Sequence, residues 1–330
     1  MEVLEIISTA TEAGVFYYLV LRLHPKIVPM NIPTIFVHLG SACNLQCPHC
    51  ANRQFVGNVD EHWQMELLEN SLKVLRFDFG ALNIALTGGE PTFHPDFEHI
   101  LRYAAGIGLR VDLFTNAIWP DGFSVSYLQK SGLSRLVVSL DALDELPAHG
   151  RILKTSSQPI DVIIEAAALM DVVVITTVSK ANISTLPSII NFCRSVGVNH
   201  IIAPIDTPND LDHLSLSDLT KDEADVLHRA VLDWGSNWGN QFRSNLFLSI
   251  INRKRYLGVR CDWGREMVAL FPNGMIYPCL FLHMEHPGWS LLETSPDELK
   301  REICAWNEYA MQRKCMRTIC YGCLSKESSL

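Results

Sequence analysis

Between residues 35 and 215, short apolar runs rich in β-branched residues alternate with amphipathic stretches, the pattern of successive βα units around a parallel sheet. Six runs predict strands: Thr34–Leu39, Asn83–Leu86, Arg110–Phe114, Arg135–Leu140, Val172–Val178 and His200–Ile205. Between them, Met65–Phe77, Pro95–Ala105 and Ile160–Met170 carry apolar residues at helical spacing. Six βα units suit an incomplete barrel, so the expected fold is α/β, a partial (β/α)6 TIM-like barrel. Such a barrel does its chemistry at the C-terminal ends of its strands, and the unusual polar residues fall there. A cysteine cluster at Cys43 follows strand one, Gly88-Gly89-Glu90-Pro91 follows strand two, Thr115-Asn116 ends strand three, and Ser139-Leu140-Asp141 ends strand four.

After strand six, Ile205–Ser217 is rich in Asp, Pro, Ser and Asn and reads as a boundary, with a helix over Lys221–Trp234 beyond it. From Cys261 the pattern changes to two short strands around Pro272-Asn273-Gly274, an Asn-Gly turn of hairpin type, and then a helix near Pro296–Gln312. The organisation expected is a helical extension over 1–33, the barrel over 34–215, a helical linker over 216–260 and a small cysteine-dense module over 261–330.

The composition, 48% apolar and 19% charged, is that of a globular chain. Its 27 Lys and Arg against 36 Asp and Glu leave a net charge of -9, which disfavours an extended basic surface and hence a nucleic-acid partner. The apolar run Gly14–Leu21 is too short to cross a bilayer, and Glu2 and Glu5 stand where a secretory signal wants basic residues. The expectation is a cytoplasmic protein with no membrane partner. In a reducing compartment, clustered cysteines bind metal or do chemistry more often than they form disulfides.

The ten cysteines fall in two sets around the solitary Cys193: Cys43, Cys47 and Cys50, then Cys261, Cys279, Cys304, Cys315, Cys320 and Cys323. Cys43-x3-Cys47-x2-Cys50, directly after a strand, brings three thiolates to one place and leaves a fourth ligand position empty. That donor set suits an iron-sulfur cluster with one open iron; the alternative is a zinc knuckle completed by His49.

Taken together, the Cys43-x3-Cys47-x2-Cys50 motif with His49 at the ring-bearing position, Gly88-Gly89-Glu90-Pro91 and Ser139-Leu140-Asp141 resemble a radical SAM enzyme over roughly residues 33 to 206. The resemblance implies a [4Fe-4S] cluster on Cys43, Cys47 and Cys50 whose open iron is chelated by S-adenosylmethionine. A one-electron donor such as flavodoxin or ferredoxin is implied as well. The product, a 5'-deoxyadenosyl radical, takes a hydrogen atom from the substrate, while the protein orients the reactants and excludes water. By the same resemblance Glu90 meets the methionine ammonium, with a solvated loop carboxylate as the alternative. Gly88 and Gly89 allow a tight turn and a close backbone approach to a ligand.

Ser139 and Asp141, two apart at the strand end, are implied as ribose ligands. Thr115 and Asn116 are candidate contacts to the cofactor or substrate, or caps of a turn. Arg151 is the candidate for the methionine carboxylate, and Thr176, Thr177 and Val178 lie where adenine rests in the family. His94, His283 and His286 titrate in a useful range but more often decorate a surface. Trp234, Trp238 and Trp263 are candidates for a substrate pocket or for packing between tail and barrel.

Cys261-x12-Gly274-x4-Cys279 resembles the opening half of the SPASM and Twitch extensions, whose hairpin carries two ligands of an auxiliary cluster. Cys320 and Cys323 then complete four thiolates, and the single-cluster Twitch form fits better than a full SPASM tail. Cys315, with Cys304 on the preceding helix, departs from that pattern and either could displace a ligand; Cys315 is a ligand, a spare or part of a site with an open iron for substrate. Zinc is the alternative metal, and Cys304 and Cys193 read as buried small hydrophobes.

The function expected is hydrogen abstraction from a small polar metabolite, such as a sugar, aminocyclitol or nucleoside in a biosynthetic pathway, an oxidoreductase type of chemistry. The auxiliary cluster, across the barrel mouth, would accept an electron or anchor the substrate. The tilt toward a metabolite comes from the shortness of the segment before strand one. The alternatives are cross-linking or epimerisation of a ribosomal peptide and, in another class, a non-catalytic metal-binding or electron-transfer scaffold.

Overall fold

The computed structural model describes residues 34–50, 63–143, 158–205, 214–216, 219–238, 247–248, 267–279 and 288–313. All of them belong to the compact unit Ile32–Leu330. The expected extension over 1–33, Arg151, Cys261, Cys315, Cys320, Cys323, His283, His286 and Trp263 lie outside the described residues, as do the side chains of Cys304 and Trp238.

Six strands form where the apolar runs predict them: β1 Thr34–His38, β2 Asn83–Thr87, β3 Arg110–Thr115, β4 Leu133–Ser139, β5 Asp171–Val178 and β6 Asn199–Pro204. They pair in parallel with sequential neighbours, which is the arrangement of a singly wound, partial barrel. The connecting helices are α1 Met65–Phe77, α2 Phe97–Gly106, α3 Val125–Lys130, α4 Gln158–Ala167 and α5 Leu186–Val196. Their buried residues keep the i, i+3, i+4 spacing that turns one stripe to the sheet: Leu68, Ser71, Leu72 and Leu75 in α1, and Phe97, Ile100, Leu101 and Ala104 in α2. The short helix α3 went unseen in the sequence because six residues hold too few turns to show a period. It is started by Ser124, whose side chain accepts the Tyr127 N–H.

Beyond the barrel, α6 spans Lys221–Trp238, and β7 Met267–Leu270 with β8 Met275–Tyr277 makes the expected hairpin. Asn273 does not take a positive φ, as a two-residue Asn-Gly hairpin turn would require; Gly274 alone does, at +73°. Gly274 N–H donates to Phe271 O, and Asn273 Oδ1 accepts the Met275 N–H, so Pro272 and Asn273 form the centre of a four-residue turn. β9 Trp289–Ser290 adds to β8, and α7 Pro296–Arg313 follows.

The hairpin continues the barrel's own sheet. β7 pairs parallel with β1, Thr34 against Met267 through Val37 against Leu270, giving nine strands in the order β6-β5-β4-β3-β2-β1-β7-β8-β9. The hairpin turn therefore stands at the same end of the sheet as the cysteine loop, and β8 runs back the other way before the chain reaches Cys279. The ring of His38, the last residue of β1, stacks on Phe271 at 4.8 Å, and Lys300 of α7 donates to Asp78 O.

Candidate functional site at the C-terminal ends of the strands

Gly88 and Gly89 hold the root of the cysteine loop. Gly89 N–H donates to Gly40 O and Glu90 N–H to Ala42 O, both at 2.8 Å. A Cβ on Gly88, where φ is +131°, would stand 2.5 Å from Gly40 O, and one on Gly89 would stand 2.1 Å from Ala42 O. The tight turn is as expected, and within the protein the glycines lie against the backbone of the cysteine loop's root.

Glu90 is 2% exposed, which removes the solvated-carboxylate alternative. Its Oε1 accepts from Thr115 Oγ1 at 2.7 Å and Thr92 Oγ1 at 3.0 Å, and its Oε2 accepts the Asn116 N–H at 2.7 Å. Burial pushes its carboxyl up to about 7 despite these donors, which pull the other way. Thr115 spends its one proton on Glu90 and accepts from Ala117 N–H and Trp119 Nε1–H. Thr92 and Trp119 belong to this network without any signal in the sequence, because each acts through a loop conformation.

Asn116 reaches the cysteine loop directly. Its Nδ2 donates to Asn44 Oδ1 at 2.8 Å and lies 3.9 Å from Cys43 Sγ. Asn44 Nδ2 donates in turn to Ile118 O at 2.9 Å. On the other side of the loop, His49 Nε2 lies 3.7 Å from Asp141 Oδ2, with the two side chains 6% and 1% exposed. Asp141 Oδ1 accepts the Thr177 N–H at 2.8 Å. Asn182, also unmarked in the sequence, pins the ends of β4 and β5 by donating to Asp141 O and Thr177 O. Asp141 is thus a brace between His49 and β5, and Ser139 and Thr177 are the half-buried polar residues at these strand ends.

Strand parity separates the adenine-site candidates. Thr176 is fully buried, donates to Leu140 O and accepts from His200 Nε2, so it faces the packed side together with Val178. His200 stays neutral, since burial pushes its pKa down to about 3. Thr177 alone of the three points to the opposite face, the concave wall. Register places Phe36, Phe114, Val137, Val173, Ile175 and Ile201 on that wall. Phe36 and Phe114 touch with ring centroids 5.6 Å apart and remain partly exposed. Asp112 and Arg135, register partners lower on β3 and β4, form an ion pair on the same face.

The three thiols at Cys43, Cys47 and Cys50 are partly exposed, and Leu45 N–H donates to Cys43 Sγ. Burial, together with the charges of Glu90, Cys47 and Cys50, pushes the Cys43 thiol up to about 11, against the Leu45 donor. A soft, electropositive group relieves that repulsion, so the donor set fits an iron-sulfur cluster. His49, which a zinc knuckle would need as its fourth ligand, has its Nε2 turned to Asp141 Oδ2 at 3.7 Å. Glu90 fits a cationic amine in the same way.

His94, Trp234 and Cys193 have structural roles. His94 is buried and its Nδ1 accepts the Asp96 N–H ahead of α2. Trp234 is fully buried and donates to His200 O within the core formed by α5, α6 and β6. Cys193 is fully buried with its thiol pushed up to about 12, as a small hydrophobe would be. Cys279 is buried just beyond β8. No helix among the described residues is long and apolar enough to cross a membrane.

Comparison with known proteins agrees with this geometry. A model of the radical SAM superfamily matches residues 37–193. The chain is 26% identical to a probable GTP 3',8-cyclase of Methanococcus maripaludis (strain C6) over 260 residues, 72% of this chain and 81% of that protein. It is 22% identical to the PqqA peptide cyclase of Methylorubrum populi over 255 residues, 74% of this chain and 65% of that protein. Among solved structures, Streptococcus suis SuiB superposes with a TM-score of 0.62 at 18% identity, over 92% of this chain and 75% of that one. SuiB has also been solved bound to S-adenosylmethionine and to its precursor peptide SuiA.

Proposed function

The chain belongs to the radical SAM superfamily of enzymes, and from that premise we propose that the strand-end site binds a [4Fe-4S] cluster and S-adenosylmethionine to start a radical reaction on a small metabolite. The observation that carries this reading is Glu90, a buried carboxylate bonded into the same network as the Cys43–Cys50 loop. Membership of an enzyme family takes the place of the scaffold alternative.

Bound together, the cluster and S-adenosylmethionine supply one-electron cleavage of the sulfonium to a 5'-deoxyadenosyl radical that abstracts a hydrogen atom from the substrate. Cys43, Cys47 and Cys50 hold the cluster. Glu90, preorganised by Thr92, Thr115 and Asn116, takes the methionine ammonium, whose charge offsets the cost of ionising a buried carboxyl. Ser139 and Thr177, on the open side of the strand ends, face the nucleoside, while Asp141 holds His49 and β5 in register. Gly88 and Gly89 place Glu90 against the loop. The wall of Phe36, Phe114, Ile175 and Ile201 excludes water from the radical's path. Arg151 is proposed at the methionine carboxylate.

A second cluster on Cys261, Cys279, Cys320 and Cys323, with Cys315 as an alternative ligand, is part of the same proposal. So is a one-electron donor such as flavodoxin or ferredoxin. The organisation into a barrel over 34–215, a linker over 216–260 and a cluster-bearing module over 261–330 goes with it.

The substrate proposed is a small polar metabolite: a sugar, aminocyclitol or nucleoside. The touching rings of Phe36 and Phe114 favour a second reading, in which an apolar or aromatic side chain of a peptide enters the barrel. The experiment is 5'-deoxyadenosine formation by anaerobically reconstituted protein with S-adenosylmethionine and dithionite, given small-metabolite or peptide fractions of host extract. Stimulation by the first supports the metabolite. Stimulation only by the second moves the assignment to a peptide, and no product under any condition sinks the radical reading.

A further inference from the structure

We propose that Asn116 is a positioning residue that clamps the first corner of the cysteine loop through Asn44 and sets the reduction potential of the cluster held there. This rests on the reading of Cys43, Cys47 and Cys50 as the cluster ligands. Asn116 joins three separate parts of the site. Its backbone N–H donates to Glu90 Oε2 at 2.7 Å, and its side-chain Nδ2 donates to Asn44 Oδ1 at 2.8 Å. The same Nδ2 lies 3.9 Å from Cys43 Sγ, and its Oδ1 accepts the Ile118 N–H at 2.8 Å.

Asn44 closes the ring by donating its own Nδ2 to Ile118 O at 2.9 Å. Both carboxamides are thereby oriented by bonds at their two ends, and neither can flip without exchanging a donor for an acceptor. Ala117, between Asn116 and Ile118, has φ of 59°, a left-handed conformation that an L-residue adopts at a cost, so the turn is held open by these bonds. Asn44 is the residue next to Cys43. Fixing it fixes where the first thiolate meets the cluster.

The consequence is electronic as well as geometric. Hydrogen bonds to the sulfurs of a cluster help set its potential, because an N–H dipole aimed at a thiolate favours the more negative, reduced state. Asn116 directs such a dipole at Cys43. Its backbone link to Glu90 ties the carboxylate that takes the ammonium to the residue whose amide faces the thiolate.

The test separates this role from simple turn capping. Asn116→Ser keeps an oxygen for the Ile118 N–H but is too short to reach Asn44 or Cys43. The full-length variant is reconstituted anaerobically, its iron is counted, and its cluster is titrated by EPR-monitored reduction without S-adenosylmethionine. The expected result is full iron content with the reduced-to-oxidised ratio at the wild-type midpoint down about tenfold, a negative shift of about 59 mV for a one-electron couple. A midpoint equal to wild type overturns the proposal and leaves Asn116 as a turn residue.

Where Asn116→Ser takes up no iron, Asn44→Ala, which keeps the bond from Ile118 N–H to Asn116 Oδ1 within the turn, is titrated in its place. A negative shift there supports the clamp, as does loss of iron with an unchanged thermal unfolding transition, and an unshifted midpoint overturns it. Wild-type protein that assembles no cluster on Cys43, Cys47 and Cys50 fails the underlying reading instead, so the two failures are distinct.

Discussion

The two faces of the barrel sheet are built by the same strands and do different work. On one face Ile35, Val37, Ile84, Leu86, Val111, Leu113, Leu136 and Val138 are all 0% exposed beneath the helices. On the other, Phe36, Phe114 and Ile175 keep part of their surface in solvent although their immediate chain neighbours are buried. Because strand side chains alternate, each strand spends every second residue on stability and the rest on the wall proposed to face the substrate. The lesson is that apolar does not mean core here: Leu113 and Phe114 are adjacent and equally hydrophobic, and only the first is needed to hold the sheet to its helices.

Substitutions that respect or cross that division sharpen the comparison. The largest effect is expected at the rim, where Gly89→Ala forces a Cβ to within 2.1 Å of Ala42 O. The cysteine loop has to move, so reconstituted protein should carry little of the cluster bound at Cys43, Cys47 and Cys50, as read by EPR. Normal iron there would mean that the glycines serve something other than the root of the loop.

On the packed face, Leu113→Ala should lower unfolding free energy by about 2–5 kcal/mol in a denaturant titration. Phe114→Ala should cost under about 2 kcal/mol, with its main consequence a several-fold rise in substrate KM once the substrate is known. Equal destabilisation by the two would break the distinction between the faces.

Glu90, the buried charge of the rim, has an effect that depends on pH. Its carboxyl rises from 4.5 to about 7 on folding, so the native state binds the proton more tightly than the unfolded chain. Stability from that difference is fully present below pH 4.5 and is lost as pH rises through about 7, a change on the order of 3 kcal/mol in protein without S-adenosylmethionine. Glu90→Gln should flatten this slope. S-adenosylmethionine runs the other way: its ammonium wants the ionised carboxylate, so its affinity should increase up to about pH 7, and equilibrium dialysis across that range reads the trend. Affinity that is flat with pH in wild type would separate Glu90 from the ammonium.

Much of this was legible in the chain. Periodicity located β1 to β6 to within two residues, and α1 at its observed ends, because parallel strands buried between helices read as apolar runs and amphipathic helices announce their spacing. The cysteine spacing and the Gly88-Gly89-Glu90 motif were legible because they are local. What acts across the sheet was not. Asn44 and Asn116 are 72 residues apart, and nothing in either says that it will meet the other. His49 and Asp141, or Thr92 and Thr115 on one carboxylate, pose the same difficulty.

By itself, then, the sequence determined that strands and helices alternate, that the chemistry gathers after the strands, and that three thiols share one loop, since propensity, period and short-range spacing are properties of neighbouring residues. Only the tertiary structure decided that the hairpin extends the barrel sheet beside β1, that Glu90 is buried and that Thr177 rather than Thr176 lies on the open face of the sheet. It also decided that Gly89 serves the protein's own backbone. Each of those depends on which distant segment supplies the opposing hydrogen bond or removes water, and strand pairing, burial and parity acquire a value only when the segments meet.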